Sequence, residues 1–141
     1  MMARNLTIAT SIILPLFQGL AIFFDWYGRI FWFDDAMHFA GGLWIASVIF
    51  YLSSKKPKIN FLNREDRLLR FLALAAGTVF VAVLWEFFEF VLAYITYGLE
   101  HLNELGQAAQ NYTDTISDLF WVMVGAFTAG ALFFKKSGEN S

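Results

Sequence analysis

An all-α polytopic membrane protein, a bundle of four transmembrane helices, is the fold class this sequence predicts, and three observations carry it. Of its 141 residues, 58% are hydrophobic and 16% charged, against about 45–50% and about 25% in ordinary soluble domains. The mean hydropathy is +0.54. Four stretches, about 6–24, 34–52, 68–97 and 113–134, match or approach the roughly 20 apolar residues a helix needs to cross a bilayer. Open strands would leave backbone groups unpaired in lipid, and the ten-residue alternation of a barrel is absent, so the spans are helices. They read as one membrane domain over residues 1–141.

The first span, 6–24, carries no charge. Pro15 and Gln18 lie inside it and no small-x-small cleavage site follows, so it reads as a retained helix kinked at Pro15 rather than a cleaved signal peptide. Asp25, Trp26, Tyr27, Phe31 and Trp32 fill the next loop, a composition that suits an interfacial aromatic belt. The second span is apolar apart from His38 and Ser47. The third begins where Asn63 can cap a helix and Glu65 and Asp66 favour its dipole, and it carries Arg70, Glu86 and Glu89. Between it and the fourth, Leu99, Leu102, Leu105 and Ala109 recur at helical spacing, which predicts a short surface helix. The fourth span holds Asp114 and Asp118 near its start and no charge after them.

The basic residues set the expected orientation. Arg4, then Lys55, Lys56, Lys58, Arg64, Arg67 and Arg70, then Lys135 and Lys136 all fall at one end of the spans, and of the Lys and Arg residues Arg29 alone falls elsewhere. The positive-inside rule then places both termini and the central loop in the cytoplasm, with a prokaryotic plasma membrane as the expected location.

Composition also excludes chemistries. With no cysteine, disulfide frameworks, thiolate metal sites and thiol catalysis are ruled out. A formal charge of −2 leaves no basic excess for a nucleic-acid backbone. There is no G-x-S-x-G elbow and no Gly-rich phosphate loop, and the acids crowding His38 disfavour haem.

The informative residues are ionisable groups within the spans, which are costly in lipid and mark functional or paired positions. Asp35 and His38 are three apart, Asp34 and His38 four apart, Glu86 and Glu89 three apart, and Asp114 and Asp118 four apart. Each spacing keeps a pair on one helix face. Measured from the basic end at about 1.5 Å per residue, His38, Glu86 and Asp118 lie roughly 25–28 Å along their helices, and Asp35, Glu89 and Asp114 roughly 30–33 Å. Three helices therefore bring acids to one depth, in a pocket opening outward. Asp34, at the helix start, reads as a solvent-facing acid. His101 reads as a surface residue.

So many acids beside one imidazole cannot all stay ionised: either some carboxyls are protonated or a cation is bound among them. Oxygen ligands with one His suit a divalent metal ion: Mg²⁺, Mn²⁺, Ca²⁺, Fe²⁺ or Zn²⁺. The expected metal ligands are Asp35, His38, Glu86, Glu89, Asp114 and Asp118. Small residues near them, Gly41, Gly42, Ala73, Gly77, Gly125, Ala126, Ala129 and Gly130, favour close helix packing.

Asp34-x-x-x-His38-Phe39-x-Gly41-Gly42, Trp85-Glu86-x-x-Glu89-Phe90 and Asp114-Thr115-x-x-Asp118-Leu119 followed by Gly125-Ala126 together resemble the YjdF-like family of small integral membrane proteins. More distantly they resemble VanZ-like proteins, linked to glycopeptide resistance. The resemblance spans roughly residues 34–126 and implies the motif positions and the membrane class, without supplying a reaction.

The leading expectation is a divalent-metal site serving hydrolysis or group transfer on a lipid or envelope-linked substrate, the metal activating water and a spare carboxylate acting as base. The alternatives are a cation or proton transport protein, for which Thr10, Ser11, Gln18, Ser47, Thr78 and Thr128 are the polar candidates along the path, and a structural membrane subunit. The expected partners are the lipid bilayer and a lipid-like substrate, with no nucleic acid; a homo-oligomer is left open.

Overall fold

Five helices follow one another in the computed structural model, which describes residues 2–55, 67–104 and 107–135. They are α1 (Met2–Phe23), the short α2 (Trp26–Arg29), α3 (Phe33–Lys55), α4 (Arg67–Glu104) and α5 (Gln107–Lys135). No strand occurs among the described residues. Four helices are long and apolar enough to cross a membrane, over Arg4–Phe23, Phe33–Lys55, Leu68–Thr96 and Tyr112–Phe134. The expected caps and first-turn acids at Asn63, Glu65 and Asp66, and the rest of the basic loop, lie outside the described residues.

Helices α3 and α5 form the central pair; α4 packs mainly on α5, and α1 on α3. Enclosure follows this order. In the span of α5, 39% of the residues of its most apolar window are buried, and in that of α1 only 6%. Large apolar side chains cover the outward faces, among them Ile12, Leu16 and Ile22 on α1 and Phe80, Phe87 and Ile95 on α4. In water such surface would drive aggregation; in lipid it is the correct exterior.

Glycine sets how close the central pair comes. A Cβ on Gly42 would stand 2.1 Å from the carbonyl oxygen of Val122, and one on Gly125 would stand 2.2 Å from that of Phe39. Each glycine thus turns its Cα–H toward a carbonyl of the other helix, a contact that membrane helices with small residues at the crossing can make. Gly41 has no neighbour within 4 Å of a Cβ built on it, and at Gly77 the nearest atom, from Ile49, is at an ordinary 3.4 Å. Of the two glycines following His38, only the second makes the crossing.

Beyond the crossing, toward the basic end, Ala46, Leu74, Ala126, Ala129, Phe133 and Phe134 form the buried core. Phe50 stacks on Phe133 at 4.6 Å between centroids, and Phe71 on Phe127 at 5.2 Å. The Arg70 guanidinium lies 5.2 Å over the Phe134 ring, a cation–π placement at the edge of the apolar core.

At the other end the chain reverses through Asp25, in the left-handed region at φ 54°, which Asp tolerates better than most residues. Two rings of the expected belt also touch the protein: Trp26 and Tyr27 stand edge-on to the buried Phe33, at 5.4 and 5.2 Å, with Tyr27 still 38% exposed. Phe31 and Trp32 stay exposed. Helix α4 runs through its span and breaks at Gly98, where φ 77° and ψ 159° are non-helical, values glycine adopts readily. The segment expected to form a surface helix starts at this break. The backbone is helical to Glu104 and again from Gln107, while Leu105 and the side chains of Leu99, Leu102, Ala109 and His101 lie outside the described residues.

Candidate metal centre

One helical turn before the Gly42–Val122 crossing, α3 carries His38 and α5 carries Asp118. The crossing holds these helices backbone to backbone, so their side chains meet. His38 Nε2 lies 3.5 Å from Asp118 Oδ1 and 3.4 Å from Asp34 Oδ1. Asp118 is 4% exposed, the one buried acid among the described residues. Helix α4 completes the group with Glu86, half-buried, and Glu89, exposed on the flank. His38, Asp34 and Asp118 each offer a ligand atom within 4.8 Å of the others, and so do His38, Glu86 and Glu89. His38 belongs to both triads.

A neutral imidazole has one N–H, and a given ring nitrogen donates at most one hydrogen. Here one nitrogen faces two carboxylate oxygens, both beyond a good hydrogen-bond length. Ligand atoms about 3.4 Å apart are also the edge of a tetrahedron with metal–ligand distances of about 2.1 Å, so the spacing is compatible with a bound ion as well as with an imidazolium beside carboxylates.

The expected ligands separate into two groups. His38, Glu86, Glu89 and Asp118 come together. Asp35 does not join either triad; it accepts a hydrogen bond from Ser117 Oγ at 2.8 Å and lines an open groove with Trp32, Ala36, Phe39 and Trp121. Asp114, exposed one turn before Asp118, also joins neither. Asp34, read from the sequence as a solvent-facing acid, takes the place expected of Asp35. Two further residues stand beside the site, Thr115 from the third motif and Tyr27 from the expected aromatic belt. Thr115 lies beside Glu86. Tyr27 donates its hydroxyl to Gln18 Oε1 at 2.5 Å and stands within electrostatic reach of Asp34 and Glu89; burial, opposed by that hydrogen bond, raises its pKa above the usual phenol value.

Below the site, toward the basic end, four hydroxyls of the spans are turned back on their own helices, while that of Thr7 is buried without a hydrogen-bond partner among the described residues. Thr10 bonds Leu6 O, Ser47 bonds Leu43 O, Thr78 bonds Leu74 O and Thr128 bonds Val124 O, at 2.7–2.9 Å. Ser11 accepts from Trp44 Nε1, and Gln18 is held by Tyr27.

A bundle whose outward faces are apolar over four membrane-length helices is an integral membrane protein. The chain belongs to the family described as "Predicted membrane protein (DUF2238)", which matches it over residues 3–138. That description supports the membrane class and carries neither the YjdF nor the VanZ name. No curated protein and no solved structure matches the chain.

Proposed function

We propose that this membrane protein holds a divalent metal ion between α3, α4 and α5, with His38 as the shared ligand and Asp34, Asp118, Glu86 and Glu89 as the carboxylate donors. The observation that carries the reading is the pair of overlapping triads meeting at one imidazole. The hard oxygen donors and single nitrogen suit Mg²⁺, Mn²⁺, Ca²⁺, Fe²⁺ or Zn²⁺. Asp35 and Asp114 flank the ion rather than ligate it. With the basic end in the cytoplasm, as the positive-inside rule has it, the site faces the opposite side of a prokaryotic plasma membrane.

The reaction proposed is hydrolysis or group transfer on a lipid or envelope-linked substrate. A bound metal supplies a nucleophile from water at neutral pH. A spare carboxylate beside the site, outside both triads, receives the proton. Transport of a cation or proton is the second reading. It needs a polar path onward from the site, and the back-bonded hydroxyls of Thr10, Ser47, Thr78 and Thr128 weigh against one.

The test is metal content. Protein purified in mild detergent without a histidine tag is analysed by elemental mass spectrometry beside a Glu86→Ala/Asp118→Ala variant. Stoichiometric metal in the parent, lost in the variant, supports the reading; a metal-free parent overturns it.

A further inference from the structure

The open groove beside the acids has a different chemistry from the triads. Of about 360 Å³, it is lined by Trp32, Asp35, Ala36, Phe39 and Trp121. Four of these are apolar or aromatic, and the fifth is a carboxylate. Ser117 donates to one oxygen of that carboxylate, which orients it, and no cationic side chain pairs with Asp35 among the described residues. Trp32 immediately precedes the span Phe33–Lys55, so the groove lies at the depth where lipid headgroups meet hydrocarbon and where Trp is favoured. An oriented acid without a cation, in a groove with one indole at headgroup level (Trp32) and a second about 13 Å into its span (Trp121), calls for a small organic cation attached to a lipid.

We propose that this groove binds the primary ammonium headgroup of an aminophospholipid such as phosphatidylethanolamine. The free oxygen of Asp35 accepts hydrogen bonds from the ammonium, while Trp32 and Trp121 offer aromatic surface to the cation. A carboxylate acceptor selects –NH₃⁺, which has three N–H donors, over a quaternary ammonium, which has none. A headgroup without an amine brings no charge to pair with the acid. Asp35 adjoins Asp34, and Ser117 adjoins Asp118, so the lipid lies next to the triads. In naming a substrate for that site the assignment rests on the proposed reaction there; the binding itself does not.

The experiment is native mass spectrometry of delipidated protein in detergent, offered equal amounts of phosphatidylethanolamine, phosphatidylcholine and phosphatidylglycerol, with bound metal measured on the same preparations. Preferential phosphatidylethanolamine adducts are expected, weakened about tenfold by loss of the charged hydrogen bond in Asp35→Asn. Trp32→Leu, an exposed ring, weakens them as well, and Asp25→Asn, at a position that does not line the groove, leaves them unchanged. Far-ultraviolet circular dichroism of each variant reports folding. Equal adducts with all three lipids, or unchanged preference in folded Asp35→Asn and Trp32→Leu, overturn the assignment. Asp35→Asn is expected to keep its metal, so lipid preference in metal-free protein removes the metal reading alone, and metal without lipid preference removes this one alone.

Discussion

Gly42 of α3 and Val122 of α5 touch through their backbones: the space where Gly42 would carry a Cβ is occupied by the Val122 carbonyl oxygen, 2.1 Å from that position. Because the obstruction is main chain, no rotamer change relieves it. Gly42→Ala therefore forces the two central helices apart, at a cost of about 1–3 kcal/mol or more by overpacking. Gly41→Ala, with open space around its Cβ position, is expected to be neutral or slightly stabilising. Melting of the two variants in detergent separates them.

The same crossing fixes the distance between His38 and Asp118, so Gly42→Ala should also impair metal binding without touching a ligand. Reduced metal affinity in a variant that remains helical is the expected result. Full retention would show that the ligands reach the ion independently of the crossing.

His38 belongs to both triads, and its loss should be the most damaging single change. His38→Ala is expected to lower metal affinity by at least about 100-fold, since removing groups that merely support ligands already costs about 10–100-fold. Asp34→Asn should weaken binding more than Asp35→Asn. Titration of metal-stripped variants by calorimetry gives this order directly, and an Asp35 effect larger than that of Asp34 would restore the assignment expected from spacing.

A metal that binds only the folded chain must stabilise it. At a free concentration about 100 times the dissociation constant, the gain is about 2.7 kcal/mol. A chelator should lower the melting temperature of the parent protein and leave that of His38→Ala unmoved.

Tyr27 gives a prediction in pH. Its folded pKa is raised by burial, so the unfolded chain ionises first as pH rises through the ordinary phenol range. Its contribution to stability is fully present below about pH 10 and is lost as pH climbs through the folded value. Tyr27→Phe should abolish that alkaline component, and at neutral pH it should lose about 1 kcal/mol for the bond to Gln18. Melting curves of parent and variant from neutral to alkaline pH test both parts.

The spans were legible because apolar length is a local property: Phe33–Lys55 and Leu68–Thr96 can be read from composition alone. The break at Gly98 was legible for the same reason, as the point where the apolar run ends. The choice between Asp34 and Asp35 was not. At about 3.6 residues per turn, both lie on the same broad face of α3 as His38, and nothing local says how that helix is rotated. The rotation is set by Gly42 against Val122 and Gly125 against Phe39, contacts between residues far apart in the chain. The edge-on packing of Trp26 and Tyr27 on Phe33 escaped for a similar reason: aromatic composition at an interface suits rings that anchor in lipid as well as rings that pack on the protein.

The hydroxyls of Thr10, Ser47, Thr78 and Thr128, each closed onto the preceding turn of its own helix, have a consequence for the cell. An ion or proton at His38 that moved toward the basic end would meet a medium as poorly solvating as oil, where an unpaired charge is prohibitively costly. On the proposed reading of a fixed metal site, these closed hydroxyls make the lower half of the bundle a poor conductor, and a membrane then carries many copies of the protein without losing its voltage.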